Sequence, residues 1–468
     1  MCQDSNRQPH VPRVCRRVFL YGAAGSVASL LLAACGGTAA TPQPASGGGA
    51  VVATTTGATA VPASGGKKKD LLFWGRQQFL AESNEYLTES VKMAAQKGNF
   101  NVKVELFSND EHAQKEVVAM ESGIVPDITY TYAPALWNQN GYALEVPDLY
   151  EEIGKTGGGW LELANPASNA GGKRISIPMN NEPWFLHLRK DLFEEAGVKL
   201  PLASWDQMMD AFKKVNKPDK NFFAFDGQMT EADWGGNCLQ FMWAFGGRLF
   251  DKDGNATIDT PENLKGVTAY TDLFKNKLMP PGVVQQQASG NNEAWLSQQV
   301  AAVSNPGSIV LSMRKDNKPL LEKTYLQAYP SAVKAGTYVQ SGGTASLIIN
   351  KKGQAIDEAK QIARMILAPD RYPTQLEKAG SYWFPIMKNY LTIPFFTNDQ
   401  WNKQIVENIV PWTLPANADS GLTPILDDIS VKATGDMLQA IVVQGKSPQE
   451  ALKGLADAAA KAKEKFKK

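Results

Sequence analysis

The sequence predicts an α/β protein that is built from more than one core-forming unit. Its 468 residues exceed the length that a single hydrophobic core usually serves, so two units are the natural expectation. Hydrophobic residues make up 43% and charged residues 20%, proportions that are typical of a folded globular chain. From residue 70 onward, short apolar runs alternate with segments of helical spacing, a pattern typical of a parallel sheet covered by helices.

The first elements of this pattern follow one another closely along the chain. They are a buried strand at 71–74, an amphipathic helix at 83–97, an alternating strand at 101–107, a second amphipathic helix at 111–122 and a third strand at 124–130. The order β-α-β-α-β predicts parallel strands, and ligands of such sheets lie beyond the carboxyl ends of the strands. The segments at 74–78, 108–110 and 131–134 are therefore where we expect functional side chains.

The first 34 residues have the organisation of a signal peptide. Arg13, Arg16 and Arg17 precede an uncharged stretch at 18–32, which is shorter than the roughly 20 apolar residues needed to span a bilayer. The arginine pair resembles a twin-arginine export signal. Because Cys15 stands where that signal has Ser or Thr, the general export route stays open as well.

Cys35 follows the apolar stretch in a pattern that resembles a lipobox. Ala33 and Ala34 are the small residues before the cysteine, whose sulfur receives diacylglycerol in such signals. Residues 36–69 are rich in Gly, Ala, Thr, Ser and Pro and have too few large apolar side chains to bury a core. The expectation is a protein anchored outside the cytoplasm through lipid on Cys35, with residues 35–69 as a flexible linker.

The composition excludes several classes of function. The 48 basic and 47 acidic residues leave a formal charge of +1, without the basic excess of a nucleic-acid-binding protein. Once Cys35 and the signal peptide are set aside, Cys238 is the one cysteine left, so we expect a small buried side chain and no intramolecular disulfide. The histidines lack metal-ligand spacing, and we expect neither a metal nor a cofactor.

Later segments match a known family in the order of the chain. Residues 175–180 read Ile-Ser-Ile-Pro-Met-Asn, residues 186–197 pass from a strand to a short helix that ends in Ala-Gly, and Ser204 is placed as an N-cap before Trp205 and Asp206. Further matching segments lie at 241–254, 266–281, 295–309, 346–367 and 447–452. Together they resemble the family 1 extracellular solute-binding proteins of ABC importers, which include maltose-binding protein, although Arg189 replaces the usual Asn.

The resemblance implies a periplasmic-binding-protein-like fold, with two discontinuous α/β lobes joined by hinge strands and a ligand cleft between them. Lobe 1 is expected at 70–178 and about 328–379, and lobe 2 at 179–327 and about 380–468. It also implies a monomer that captures a small solute by hinge closure and delivers it to a membrane permease.

Candidate binding residues are those that this fold places at strand ends or hinges. Sugars present apolar C–H faces to aromatic rings and hydroxyl groups to polar side chains. The candidates are Trp74, Arg76, Gln77, Asn109, Tyr132, Glu182, Trp184, Asp233, Trp234, Asn305, Tyr382 and Trp383. Trp184 and Trp383 are expected to flank the solute, whereas Trp205 and Trp243, inside helical patterns, are expected in the core. Asp127, after Pro126, is expected to form a structural turn.

Alternatives to a sugar ligand remain open on the same fold. A phosphosugar would use Arg76, and a polyamine would use Glu182 and Asp233 between aromatic faces. Enzyme motifs such as G-x-S-x-G and H-E-x-x-H do not occur, and the P-loop-like ends at 154–156 and 445–447 lack the first glycine. Glu182 and Asp233 leave a glycosidase pair open, but we expect a binding protein without enzyme activity.

Overall fold

The computed structural model describes residues 68–230, 236–287, 289–426, 429 and 433–465. The predicted signal peptide, Cys35 and almost all of the linker lie outside the described residues. The strands are β1 Asp70–Arg76, β2 Asn101–Phe107, β3 Ile128–Thr131, β4 Asn169–Ala170, β5 Lys173–Arg174, β6 Ile177–Pro178, β7 Glu182–Pro183, β8 Phe185–Arg189, β9 Phe223–Asp226, β10 Val300–Asn305, β11 Thr324–Gln327, β12 Tyr329–Pro330, β13 Tyr338–Gly343, β14 Ser346–Ile349 and β15 Thr413–Leu414.

Helices separate most of these strands, as the α/β prediction requires. The α-helices are α1 Ala81–Gly98, α2 Asn109–Ser122, α3 Pro134–Gln139, α4 Pro147–Thr156, α5 Ala164–Ser168, α6 Lys190–Glu195, α7 Trp205–Val215, α8 Gly236–Ala244, α9 Pro261–Lys275, α10 Gly290–Leu296, α11 Ser308–Asp316, α12 Lys318–Glu322, α13 Ile356–Ile366, α14 Tyr372–Ala379, α15 Pro394–Thr397, α16 Gln400–Asn408, α17 Thr434–Val442 and α18 Pro448–Lys465. A short 3-10 helix at Gly380–Tyr382 follows α14.

The first sheet has five strands in the order β2-β1-β3-β14-β6. β1 pairs in parallel with both β2 and β3, which confirms the parallel start predicted from the sequence. β14 runs antiparallel to β3 and to β6, so the complete sheet is mixed. Phe73 in β1 and Ile128 in β3 are fully buried, and α1 packs against α13 and α14 beside this sheet.

The second sheet has four strands in the order β11-β8-β10-β9. Every residue of β8 and of β10 is buried, as expected for central strands with both faces covered. β12, β13 and β15 form a third, smaller sheet, and β13 also pairs with β7. β13 therefore carries the chain from the neighbourhood of the second sheet back toward the first.

The two larger sheets form the two α/β lobes, with β7, β12 and β13 in the connections between them. The chain leaves the first sheet after Pro178, near the predicted crossing. It leaves the second sheet after Gln327 but re-enters the first only at Ser346, because residues 329–343 pair within the small sheet. The predicted lobe boundaries themselves stay a prediction.

The third predicted strand begins later than the sequence pattern suggests. It starts at Ile128 rather than at residue 124, because Pro126 has no N–H to donate and the Asp127 side chain accepts a hydrogen bond from the backbone of Leu72 at 2.9 Å. Ile124 is 77% exposed, so its apolar side chain does not belong to the buried strand. Asp127 therefore has a structural role, as expected, but it acts through a bond to β1 and not through a turn.

Several local predictions are confirmed. The Ser204 hydroxyl accepts a hydrogen bond from the backbone N–H of Gln207 at 3.2 Å, the bond that defines an N-cap. Trp205, Trp243 and Cys238 are buried in the core around the second sheet. Burial alone raises the pKa of the Cys238 thiol, so this cysteine is protonated and unreactive at neutral pH.

Candidate binding cavity between the sheets

A cavity of about 280 Å³ lies where the carboxyl ends of strands from both large sheets meet the β7–β13 connection. Arg76 is the last residue of β1, Tyr132 follows β3, and Asn305 is the last residue of β10. The predicted site residues that line this cavity are Arg76, Tyr132, Glu182, Trp184, Asn305 and Tyr382. They are far apart in sequence, and the fold brings them together as the strand-end argument predicts.

The carboxylate of Glu182 is the centre of the polar wall of the cavity. The Tyr132 hydroxyl donates to Glu182 Oε2 at 2.5 Å, and the Arg76 guanidinium lies over the Tyr132 ring at 4.6 Å from its centroid. Arg76 Nη2 also donates to the Tyr382 hydroxyl at 3.4 Å. These side chains therefore form one connected group that spans β1, the segment after β3, β7 and the helix at 380–382.

The electrostatics of this group follow from burial. Burial raises the pKa of Glu182, while the charge of Arg76 and hydrogen bonds from Tyr132 and Tyr382 oppose that rise. Burial, together with the adjacent Glu182, raises the pKa of Tyr132. The phenol therefore remains protonated at neutral pH and acts as a hydrogen-bond donor. The group therefore combines the cationic Arg76 with two phenols that donate hydrogen bonds to the Glu182 carboxyl group.

Glycines let the β7–β13 connection approach the cavity. Glu182 pairs with Gly343 and Pro183 pairs with Gly342 in antiparallel register. A Cβ at Gly342 would lie 2.4 Å from the Thr413 methyl, so a larger residue does not fit without a shift of its neighbours. Residues 341–344 all line the cavity, and at Gly342 and Gly343 the backbone itself forms the wall.

The opposite wall comes from the second sheet and the start of α11. Asn305 is 3% exposed, and its side-chain amide hydrogen-bonds the side chain of Asn292, which also lines the cavity. Ser308 begins α11 two residues after Pro306 and faces the same space. Trp184 is half-buried and lines the same cavity.

Some predicted site residues do not reach the cavity. Trp74 lies on the same face of β1 as Arg76 but one pleat earlier, where its indole donates to Glu105 at 2.8 Å and packs edge-on against Phe107. Gln77 is exposed. Trp383 is fully buried against Tyr130, because it follows Tyr382 in extended backbone and its side chain points away from the cavity into the core.

Other predicted residues fall outside what the structure describes. Asp233 and Trp234 belong to residues 231–235, outside the described residues, and Cys35 lies in the N-terminal part that is not described. Asn109 is the first residue of α2, but its side-chain position is not among those described. Their predicted roles remain predictions.

The cavity also contains residues that the sequence did not single out. Phe79 is 54% exposed and stacks on Tyr382 with ring centroids 5.8 Å apart. It lies one residue beyond the segment at 74–78, so extending that segment by one position finds it. Other unpredicted lining residues include Asn292, Ser308, Thr344 and Asn417. Asn292 and Asn417 carry no sequence signal, because only long-range folding brings them to the cavity.

Two kinds of feature are absent from the described residues. Within them, no group of three or more His, Cys, Asp or Glu side chains has an arrangement that holds a metal ion. Among the same residues, no helix combines the length and the apolar character required to cross a bilayer.

Comparison with known proteins gives a consistent result. The chain is 24% identical over 315 residues to a Brucella abortus protein named only as a binding protein, an alignment that spans 66% of this chain and 72% of that protein. It is also similar to an ABC transporter solute-binding protein of Thermotoga lettingae solved with α-D-tagatose, with a TM-score of 0.68, 23% identity, and coverage of 84% of this chain and 100% of that one.

A second solved structure agrees with the first. The sugar transporter protein of Arthrobacter chlorophenolicus with bound laminaribiose has a TM-score of 0.69 and 17% identity, over 84% of this chain and 99% of that one. These structural likenesses confirm the periplasmic-binding-protein-like fold expected from the sequence. The family model described as bacterial extracellular solute-binding protein matches residues 77–373, which is more than half of the sequence. The chain therefore belongs to the bacterial extracellular solute-binding proteins.

Proposed function

We propose that the cavity binds an uncharged sugar or sugar alcohol and that the protein delivers this solute to an ABC importer. The observation that supports this most is the composition of the cavity wall. Aromatic rings of Phe79, Tyr132, Trp184 and Tyr382 lie beside hydrogen-bonding groups. Rings receive the C–H faces of a sugar, and polar groups pair with its hydroxyls.

Unsatisfied polar groups support a hydroxyl-rich ligand. The Thr344 hydroxyl oxygen is buried and has no hydrogen-bond partner among the described residues, although Thr344 lines the cavity. Arg76 donates to Tyr382 through one nitrogen and has further N–H groups in the same wall. Leaving the buried Thr344 hydroxyl without a partner costs free energy, and a ligand hydroxyl would supply that partner. The further N–H groups of Arg76 are donors for the other hydroxyls of such a ligand.

The charges favour a neutral ligand over a polyamine or a phosphosugar. Among the described lining residues the charged side chains are Arg76 and Glu182, which have opposite sign. The Glu182 carboxylate already accepts hydrogen bonds from Tyr132 and Tyr382, and the positive charge of Arg76 nearby reduces its attraction for an ammonium group. The Arg76 guanidinium sits close enough to Glu182 to feel its charge, which reduces its attraction for a phosphate. The solved relatives described above hold tagatose and laminaribiose, which are uncharged.

A thermal-shift panel tests this ligand class. The panel contains D-tagatose, D-mannitol, maltose, laminaribiose, spermidine and glucose 6-phosphate, each at high concentration with the mature protein. A ligand at a hundredfold above its dissociation constant adds about 2.7 kcal/mol to the free energy of unfolding. We expect stabilisation by at least one uncharged sugar or sugar alcohol. Stabilisation by spermidine or glucose 6-phosphate alone would falsify the neutral-ligand proposal.

The remaining parts of the proposed function concern location and partners. We infer a monomer, free of enzyme activity, that is held at the outer face of the membrane by lipid on Cys35 and passes solute to the permease of its importer. The arginines and the apolar stretch before Cys35 support export, and the polar composition of 36–69 supports a linker.

The anchoring proposal has its own test. Changing Cys35 to Ala removes the sulfur that would accept diacylglycerol, so we expect an unprocessed precursor that no longer labels with palmitate. Cys238→Ala is the matched control, because Cys238 is buried and its loss leaves lipidation intact. Palmitate labelling that persists in Cys35→Ala contradicts the anchor.

A further inference from the structure

We propose that Glu116 is a positioning residue, which acts through its neighbours to hold one wall of the cavity in place. The effect of Glu116 on ligand binding rests on the proposed function, whereas its effect on the structure of the wall is testable without a ligand. Glu116 lies in α2, is only 2% exposed and is not among the residues that line the cavity. A carboxylate buried this deeply needs partners, and these partners identify its role.

Two of the hydrogen bonds of Glu116 reach both ends of one segment. The Thr131 hydroxyl, at the end of β3, donates to Glu116 Oε2 at 2.9 Å. The Trp137 indole, in α3, donates to Glu116 Oε1 at 2.8 Å. A single carboxylate on a neighbouring helix therefore ties together the start and the end of residues 131–137.

The tied segment supplies part of the cavity wall. Tyr132, Pro134 and Ala135 all line the cavity and all lie between the two attachment points. The Thr131 hydroxyl also accepts a hydrogen bond from the backbone N–H of Ala133 at 3.0 Å, which closes a turn with Tyr132 at its centre. The position of the Tyr132 hydroxyl, and hence its bond to Glu182, depends on this turn.

Water cannot take the place of Glu116 as the acceptor for the Thr131 hydroxyl and the Trp137 indole. Thr131 is 1% exposed and Trp137 is fully buried, so water does not reach them easily. α3 has no side-chain N-cap to fix its start independently. His112 also lies beside the carboxylate, with its Nε2 at 3.8 Å from Glu116 Oε1 and 3.4 Å from the Thr129 hydroxyl oxygen. An apolar residue at position 116 would fill the space but would not fix the turn.

Amide hydrogen exchange on the mature protein tests the positioning role directly. Glu116→Gln keeps the size of the side chain but removes its charge and one acceptor oxygen. The bond from Trp137 then loses its charge assistance, and the Thr131 hydroxyl no longer has a carboxylate oxygen to donate to and must turn to accept from the new NH2 group. Trp137→Phe removes one donor and keeps an aromatic ring. We expect exchange in residues 131–137 to become about tenfold faster in both variants through local opening.

Tyr142→Phe is the matched control. The Tyr142 hydroxyl donates to the Met120 carbonyl at 3.3 Å, so it also joins α2 to the chain beyond α3. The variant removes only this hydroxyl and keeps the Tyr142 ring, which packs edge-on against Trp137 with centroids 6.3 Å apart. We expect Tyr142→Phe to lower the melting temperature while exchange in 131–137 stays at the wild-type rate. Faster exchange there in the control, or unchanged exchange in Glu116→Gln, overturns the proposal.

Titration calorimetry separates this proposal from the proposed function. The probe is whichever of tagatose, mannitol, maltose and laminaribiose stabilises the wild-type protein most. We expect Glu116→Gln to weaken its binding about tenfold and Tyr142→Phe to leave it unchanged. Full affinity in Glu116→Gln overturns the positioning role. If none of these sugars binds the wild type, the proposed function fails, and the exchange result alone decides whether Glu116 holds the wall.

Discussion

Trp184 and Trp383 show how the same residue type serves different purposes in one chain. Trp184 is half-buried against the cavity, whereas Trp383 is fully buried and packs edge-on against Tyr130 at 5.5 Å. An aromatic ring under a ligand typically contributes about 1–3 kcal/mol of binding, as judged from stacking on other ring systems. Removing a buried tryptophan costs about 3–5 kcal/mol of folding free energy instead.

The two tryptophans therefore give opposite mutant phenotypes. We expect Trp184→Ala to weaken binding of the stabilising sugar roughly 5- to 150-fold and to change the melting temperature little. Trp383→Ala should lower the melting temperature strongly, with smaller effects on affinity in the fraction that folds. Calorimetric titration and thermal melting on both variants check this. Unchanged affinity in Trp184→Ala removes that residue from the proposed site.

Buried His187 predicts a pH dependence of stability. Burial lowers the pKa of His187 to about 3, from an ordinary value of about 6.5. The folded protein therefore keeps the ring neutral where the unfolded chain gains a proton, and this stabilising contribution declines as the pH falls from about 6.5 toward 3. We expect the free energy of unfolding in urea to fall less steeply on acidification in His187→Phe than in the wild type.

Asp226 provides a comparison of opposite sign. Burial raises its pKa to about 7, so its contribution to stability is largest in acid and declines as the pH rises toward 7. Asp226→Asn should therefore make the fall in stability on acidification steeper, between about pH 4 and pH 7. Urea unfolding at several pH values measures both variants. Identical pH slopes in wild type, His187→Phe and Asp226→Asn contradict these assignments.

At the scale of elements, one close contact joins the two walls of the cavity. Gly307 lies between β10 and α11, and a Cβ at this position would come 1.5 Å from the carbonyl oxygen of Ser381. Ser308 and Tyr382, the neighbours of these two residues, both line the cavity. The absence of a side chain at Gly307 thus allows the start of α11 to pack on the helix at 380–382.

Gly307→Ala is expected to force these elements apart. Overpacking of this kind typically costs about 1–3 kcal/mol of folding free energy, and here it also displaces cavity residues, so affinity should fall as well. Gly282→Ala is the matched control, because nothing lies within 4 Å of the added Cβ. Its stability should stay within about 0.5 kcal/mol of the wild type. Urea unfolding and sugar titration measure both; equal behaviour of the two variants contradicts the contact.

At the scale of the whole molecule, the arrangement of the sheets predicts closure around the solute. The cavity takes residues from strand ends of both large sheets, and the connections between the sheets run through β7 and β13. A ligand that contacts both walls stabilises the state in which they are close together. Binding should therefore shift the molecule toward a more compact form.

Small-angle scattering measures this closure. We expect the radius of gyration of the mature protein to fall when the stabilising sugar is added. Trp184→Ala should show the same fall, but only at the higher sugar concentration that its weaker affinity requires. A radius of gyration that does not change at saturating sugar contradicts closure and indicates a rigid site.

The positions of several helices and strands follow from the local sequence alone. The periodicity of 83–97, 101–107 and 111–122 placed α1, β2 and α2 within about two residues, because helical and strand spacings are local properties. The N-cap at Ser204 depends on a hydrogen bond from Gln207, only three positions later in the chain. The ends of β1 and β3 are recognisable for the same reason, and they identify Arg76 and Tyr132. Asn305 is identified only through the resemblance of residues 295–309 to the solute-binding family.

Only the tertiary structure decided which candidates share the cavity. Strand periodicity places Trp74 and Arg76 on one face of β1. Only Arg76, at the end of the strand, reaches the cavity, whereas Trp74 lies beside β2 within the sheet. The place of Asn417 in the cavity wall is set by contacts between segments far apart in the sequence. The same is true of the packing of Gly307 on Ser381. Periodicity specifies the side of an element on which a residue lies. The identity and distance of what it faces there are set by packing between segments far apart in sequence.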